Sequence, residues 1–478
     1  MNRREFIGGA AASLAAGCVG RFPDLVGARM KMGVLSDLHL KEAGDEDSFL
    51  KALAYFRDHG ADAVLIAGDI ADNGKVAQLQ RCADAWYRVF PNDRAPDGRH
   101  VEKLFIYGNH DVWGGWSGDD NKFREDSIYC NDRYAKVWED VFREPYSDFW
   151  LKTVRGIPVI GAHWTRRDNF DGLADFLKAH AKEIDSSLPM VYTQHAHPKD
   201  TCMGPWAWGR DNGASTRALS ACPNAVAFSG HSHYTLVDER SVWQGAFTSI
   251  NTASLRYASN DYSLRENVGG NGHGYQGEKN VRKHRMPEYG SKETADGRQG
   301  MLVSLWDDHL VIERRDFFHD ASLGDDWVVP LPASESAPFA FKVHERRRTA
   351  PEFAKGAAVS VRTVAPANEK GFTHIDVTFP AARAVGGCRV NEYEVSAVLV
   401  EDDVEVVQAQ RRMMSPDWYK PEKLLVDSVT FTFAAEDLPL KGHYRFEVRP
   451  IECFGHKGGK IESGIVEISE QGGRNEQA

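Results

Sequence analysis

The chain has 478 residues, a formal net charge of −11, and 42% hydrophobic, 11% aromatic and 27% charged residues. These values exclude a mainly disordered or collagen-like chain, and the length predicts two or three domains. The acidic balance argues against general wrapping of duplex nucleic acid, which needs a basic field. It leaves room for a small anionic substrate in a locally positive pocket. Seven cysteines without a CxxC pair make neither a disulfide scaffold nor a zinc ribbon.

The first segment, residues 1–28, begins Met-Asn-Arg-Arg-Glu-Phe-Ile and continues through small residues of moderate hydrophobicity. That stretch is too short and too weakly apolar to span a membrane. It reads as an export signal, and Arg3-Arg4 before Phe6-Ile7 resembles the bacterial twin-arginine type. Cys18, preceded by Gly17, resembles a lipoprotein attachment box, although Ala15 stands where such boxes prefer Leu. The expectation is export by a bacterium, to the periplasm or to a membrane tether through a lipid on Cys18.

From about residue 31 to 318, short apolar runs alternate with amphipathic ones. Strands are expected at 32–36, 63–67, 103–107, 157–163, 190–193, 225–229, 246–250, 301–305 and 309–314. Helical spacing occupies the interval between the first two strands and recurs at 76–90, 133–142 and 173–184. This is an α/β pattern with a late antiparallel run. Two long polar segments, 114–131 and 259–300, are expected as loops; the second carries a basic patch at 282–285. A Pro/Ser stretch leads to a short linker at 333–337. Beyond it, over 338–470, strands alternate apolar and polar residues, as in Ile375, Val377, Phe379 and Tyr444, Phe446, Val448. About seven short strands without a convincing helix predict an antiparallel sandwich. The run 438–448 around Tyr444 resembles the tyrosine corner of fibronectin type III domains, and residues 471–478 read as a disordered tail.

Five clusters carry the chemistry: Asp37-Leu38-His39, Gly68-Asp69-Ile70-Ala71-Asp72, Gly108-Asn109-His110-Asp111, His195-Ala196-His197 and Gly230-His231-Ser232-His233. Each follows an expected strand, and the carboxyl ends of strands in an α/β sheet share one crevice. Imidazole, carboxylate and amide ligands without Cys suit Mn, Fe or Zn. Seven or eight such groups are too many for one ion, and two ions sharing a carboxylate use them all. The glycines before Asp69, Asn109 and His231 are expected to let the chain turn sharply.

As an ordered set, these motifs resemble the signature of calcineurin-like metallophosphoesterases, over about residues 31–318. The resemblance implies a four-layer α/β/β/α sandwich with two divalent metal ions. It implies Asp37, His39, Asp69 and His233 as ligands of one ion, with Asp69 bridging, and Asn109, His195 and His231 as ligands of the other. It further implies hydrolysis of phosphate mono- or diesters by a hydroxide bridging the metals, with His110 as general acid and Asp111 orienting it. Asp72 is expected to support the ligands, and His197 is left between a substrate-facing and a surface role. Trp113, Trp116, Trp164 and Tyr234 lie beside the motifs, as stacking surfaces for a base or sugar or as packing beneath the loops. Arg166, Arg167 and the 282–285 patch are candidate anion contacts. Two alternatives stay open: a nuclease or a nucleotide or lipid pyrophosphatase on the same site, and a non-catalytic scaffold. The C-terminal sandwich is expected to pack on the catalytic part or to bind carbohydrate or protein.

Overall fold

The computed structural model describes residues 27–165, 170–185, 187–203, 207–209, 211–260, 292–344, 349–364, 374–387, 389–402, 404–434, 437–438 and 441–468. The expected export signal through residue 26, Arg166, Arg167 and the 282–285 patch lie outside the described residues.

Two sheets form the catalytic part. In the first, Met30–Leu35, Ala63–Ala67 and Glu102–Ile106 run parallel. Gln299–Leu305 adds antiparallel to the other edge of Met30–Leu35, and His309–Asp316 and Trp327–Pro330 follow. In the second sheet, Ile157–Ala162, Met190–Thr193, Ala225–Ser229 and Thr248–Asn251 run parallel, with Phe149–Val154 and Val242–Gln244 antiparallel at the edges.

The parallel strands are buried on both faces, which explains their unbroken apolar runs. Successive side chains point to opposite faces, so each strand divides its residues between two cores. Met30, Met32, Val34, Ala63, Leu65 and Ala67 meet Val159, Val191, Val226, Phe228 and Ile250 in a core between the sheets. Val64, Ile66, Ile160 and Tyr192 instead enter a second core, shared with helical residues such as Phe49, Leu53, Leu79, Trp86 and Trp138. Each large apolar side chain buried in this way contributes about 1.5–3 kcal/mol.

The helices Asp47–Asp58, Val76–Val89 and Tyr134–Phe142 match the sequence pattern; Leu173–Ala179 ends five residues before the expected 184. The expected loop at 114–131 contains the short hairpin Trp116–Ser117 with Lys122–Phe123. The expected loop at 259–300 begins and ends on paired strands, Ala258–Asn260 with Lys292–Thr294; residues 261–291 lie outside the described set.

The C-terminal part packs a three-stranded sheet (Ser360–Val364, His374–Pro380, Ser428–Ala434) against a five-stranded one. The latter holds Glu392–Glu401, Val404–Met414, Gly442–Ile451, Ile461–Glu462 and Val466–Ile468. Ile375, Val377, Phe379, Val429, Phe431, Phe433, Tyr444, Phe446 and Val448 fill the space between them. The stretch joining the two parts lies on the catalytic side: Leu331 and Phe339 enter the core between the sheets, and Ala333 N–H donates to Pro223 O. Residues 333–337 are therefore held down along the two-sheet domain.

Among the described residues no helix is long and apolar enough to cross a membrane. The five described cysteines, Cys82, Cys130, Cys202, Cys222 and Cys453, are unpaired thiols.

Candidate metal centre

All five motifs leave the carboxyl ends of parallel strands and meet where the two sheets face each other. The first loops stay paired beyond the sheet: Asp37 N–H donates to Gly68 O, His39 N–H to Asp69 O and Leu40 N–H to Ile70 O. Across to the second sheet, Trp164 N–H donates to Tyr107 O; within it, Gly230 N–H donates to His195 O. Turning the ligands inward strains the backbone at the ligands themselves. Asp37, His39, Asp69, His231 and His233 all have positive φ, between 44° and 68°. Non-glycine residues in this region cost energy and persist where the surroundings over-determine them.

The expected role of the three glycines needs correction. Gly68 does have φ of +90°, but Gly108 is extended, at φ −108° and ψ −171°. Gly108 is required by close approach, since a Cβ there would collide with the Asp69 carboxylate; a Cβ on Gly230 would meet the carboxylate of Asp37.

The ligand atoms gather in overlapping groups. Asp37, His39 and His233 form one, Asp37, Asp69 and His195 a second, and His39, Asp69 and His110 a third, with atoms in each lying within 4.8 Å of one another. His233 Nε2 is 3.0 Å from Asp37 Oδ1, and His195 Nε2 is 3.1 Å from Asp69 Oδ2. Asp37, His39 and Asp69 each belong to two of these groups. The rings of His195 and His231 lie 5.2 Å apart, centre to centre, and Asn109 Oδ1 is buried without a hydrogen-bond partner. A buried amide oxygen left in this way is costly unless something binds it. The all-nitrogen and all-oxygen donor set fits borderline divalent cations.

The electrostatics agree. Burial alone would push His39 down, but the carboxylates of Asp37, Asp72 and Asp69 pull it up to about 10. His195 rises to about 9, against burial, through Asp69 and Asp37. Burial opposes ionisation of Asp37 and Asp69, yet the surrounding imidazoles hold both carboxyls below the ordinary range. The pocket is a buried concentration of negative charge that protons neutralise where cations would.

Around these residues the structure assigns clear supports. Asp72 Oδ1 lies 3.3 Å from His39 Nδ1, in the supporting position expected for it. His195 Nδ1 is held by Ala67 O at 2.7 Å, which leaves Nε2 for the pocket. His110 N–H donates to Asp69 Oδ1 at 2.8 Å, and His110 Nδ1 donates to Asp72 O at 2.9 Å. The carbonyl can only accept, so the His110 proton sits on Nδ1 and Nε2 is the reactive nitrogen.

One expectation fails on geometry, and two left open are narrowed. Asp111 does not orient His110: its buried carboxylate accepts from the backbone N–H groups of Ile70, Ala71 and Gly108. It fastens the Asp69 loop to the Asn109 loop, and burial, with the charge of Asp69, pushes it up to about 7. His197 is not a surface residue. It is fully buried, and its Nε2 lies 3.0 Å from Ser232 Oγ, which itself donates to Asn251 Oδ1. Trp164 and Tyr234 are buried packing residues rather than stacking surfaces. Trp164 backs the rings of His195 and His231, each 5.8 Å away, and Tyr234 sits in a small cluster with Cys202, Met203 and Ala207. Trp113 is half-buried and stacks on Phe123.

The sequence reading missed Tyr257. Its half-buried ring lies 4.2 Å from that of His233 and 6.1 Å from that of His39. It belongs to no metal-ligand motif, and only tertiary structure brings it to the centre.

Residues 30–234 match the family model described as calcineurin-like phosphoesterase. No protein of curated function matches the sequence. Among solved structures, the chain is similar to a dimetal phosphatase from Danio rerio, at 10% identity and a TM-score of 0.36, covering 63% of this chain and 98% of that one. It is also similar to a purple acid phosphatase from yellow lupin (Lupinus luteus) seeds, at 14% identity and a TM-score of 0.38, covering 63% of this chain and 53% of that one. Over residues 30–234 the chain is thus similar to calcineurin-like phosphoesterases.

Proposed function

We propose that this calcineurin-like phosphoesterase domain hydrolyses small phosphate mono- or diesters at a two-metal centre built from Asp37, His39, Asp69, Asn109, His195, His231 and His233. The observation that carries this reading is the meeting of the Asp37, His39, Asp69, His195 and His233 ligand atoms, with Asn109 Oδ1 buried and without a hydrogen-bond partner. The residues fit two divalent ions: the His39 and His233 pair marks one position and the His195 and His231 pair the other. When bound, such ions activate water and neutralise charge on the phosphoryl oxygens.

The chain's own residues do the rest. Asp37 and Asp69 fix the spacing of the two positions because each belongs to two groups. Asp72 holds His39 by its side chain and His110 by its carbonyl, so one residue sets a ligand and the proposed acid together. His110, with Nδ1–H engaged by Asp72 O, acts as the doubly protonated ring, which delivers its second proton from Nε2 to the leaving oxygen and is left neutral. The buried surroundings, from Trp164 beneath to Tyr257 beside, exclude water and strengthen each electrostatic contact.

We further propose that residues 1–28 export the chain, with Cys18 as a lipid attachment point, and that the C-terminal sandwich is fibronectin type III-like. The two facing antiparallel sheets support that last reading. Residues 439–440 of the expected tyrosine corner lie outside the described set.

The test is a screen of the mature chain with Mn²⁺ against p-nitrophenyl phosphate, bis(p-nitrophenyl) phosphate, cyclic nucleotides and nucleotide sugars. Turnover of at least one is expected. Inactivity on all of them, with two ions bound per chain, would reject the small-ester reading.

A further inference from the structure

Tyr257 sits beside the catalytic centre on the segment 254–259, and that segment is stitched to two metal motifs. Leu255 N–H donates to Ser36 O, and Ser254 Oγ donates to Asp37 O. Ser259 N–H donates to His233 O, and Ser259 Oγ to Ser232 O. The next layer outward is the C-terminal sandwich. Ala258 packs into a buried cluster with Met414, Trp418, Tyr419 and Ile451, all from the sandwich and its loops. Tyr419 hydroxyl donates to Asp296, and a Cβ on Gly297 would press on both Ala258 and Tyr419, at 2.7 and 2.9 Å.

Gln299 closes this arrangement. It is fully buried. Its N–H donates to Ser254 O, its Oε1 accepts from Thr235 Oγ1 and Leu236 N–H, and its Nε2 donates to Tyr419 O. One side chain thus ties the chain just after His233 to a loop of the second domain.

We propose that the C-terminal sandwich is a positioning element of the catalytic centre, in which Trp418 and Tyr419, through Ala258 and Gln299, hold Tyr257 as the wall against which the organic group of the substrate rests. Bracing rests on packing and hydrogen bonds alone; the substrate-wall role rests on the phosphoesterase reading. Trp418 and Tyr419 make no side-chain contact with the metal ligands, and the braced segment meets Asp37 and His233 only at their carbonyls, so loosening it acts on the position of Tyr257 before it acts on the ligand side chains. A contact made equally in ground and transition states appears in KM and not in kcat.

The experiment uses the full-length chain with Mn²⁺ and two measurements on Trp418→Ala, Trp418→Phe and Gly297→Ala. The first is hydrogen exchange. The amides of Leu255, Ser259 and Gln299 are expected to lose protection at least tenfold in Trp418→Ala and Gly297→Ala, while those of Ala63–Ala67 are unchanged. The second is kinetics on bis(p-nitrophenyl) phosphate. KM is expected to rise about tenfold with kcat within twofold. Trp418→Phe is expected to restore most of the change, and Trp418→Ala is expected to add nothing to Tyr257→Ala in a double-mutant cycle. Unchanged protection at 255–259, or additive effects of Trp418→Ala and Tyr257→Ala, would overturn the proposal. Lost protection in Trp418→Ala and Gly297→Ala, with an unaltered chain that cleaves no ester, would reject the substrate-wall role together with the phosphoesterase reading, and leave the bracing standing.

Discussion

His39 Nε2 and His233 Nε2 stand 3.2 Å apart, although 194 residues separate them in the chain. Two imidazole nitrogens at that distance need a proton or a cation between or beside them, and Asp37 Oδ1, 3.0 Å from His233 Nε2, supplies the matching negative charge. Replacing either histidine should therefore remove one ion and spare the other. His39→Ala and His233→Ala are each expected to bind about one Mn²⁺ per chain where the unaltered protein binds two, read by elemental analysis after gel filtration. Because His39 and His195 hold protons up to about 10 and about 9 without metal, binding must release protons and weaken as the pH falls. Affinity that is flat between pH 6 and 8 would contradict this.

His110 is tied by Nδ1 to Asp72 O and lies edge-on to His39, ring centres 4.5 Å apart, without being needed to complete either ligand pair. His110→Ala is expected to lower kcat by about 10²–10⁴-fold with metal content intact. The loss should be greatest on esters with poor leaving groups and smallest on p-nitrophenyl esters, where little protonation is needed. Loss of metal, or an equal loss on all leaving groups, would remove His110 from the acid role.

Asp111 separates a structural role from a catalytic one. Its carboxylate collects three backbone N–H groups, and Asp111→Ala would orphan them, at about 1–3 kcal/mol for each buried group left unmade. Asp111→Asn retains one acceptor oxygen. It should lower the denaturation midpoint and leave the pH dependence of kcat in place. A shifted pH profile in Asp111→Asn would return this residue to the charge partnership with His110 that the motif implied.

His163 predicts the acid limb of stability. It is buried among Tyr107, Trp138 and Tyr146, accepts from Tyr107 N–H on Nδ1, and is pushed down by burial and by the Lys152 charge to about 3. The unfolded chain takes up a proton near 6.5 and the native state does not, so this contribution is complete above about pH 6.5 and is lost as pH falls towards 3. The slope is about 1.4 kcal/mol per pH unit. His163→Asn, which keeps an acceptor for Tyr107, should flatten urea-denaturation midpoints between pH 6 and 4. An unchanged slope would show that the proton is absorbed elsewhere.

Much of this was legible in the sequence for a physical reason. Parallel strands buried on both faces are unbroken apolar runs, so Ala63–Ala67, Met190–Thr193 and Ala225–Ser229 could be read to the residue. Ligand loops sit at strand ends, so five motifs in order pointed to one crevice. What could not be read depends on packing between distant segments. Phe149–Val154 is a half-exposed edge strand without a clean apolar run, and it was missed. Trp164 and Tyr234 neighbour metal motifs in sequence but point into cores, whereas Tyr257, outside every motif, stands at the centre. Asp111 has the right spacing to act on His110, and only the three backbone bonds show where its carboxylate goes.

The most direct test is a metal titration followed by activity. The apo chain, stripped with a chelator, is titrated with Mn²⁺ while bound metal and hydrolysis of bis(p-nitrophenyl) phosphate are recorded together. The account predicts saturation at two ions per chain, no turnover without metal, and activity that rises with the second ion. Saturation at one ion, or hydrolysis that survives removal of all metal, would contradict it.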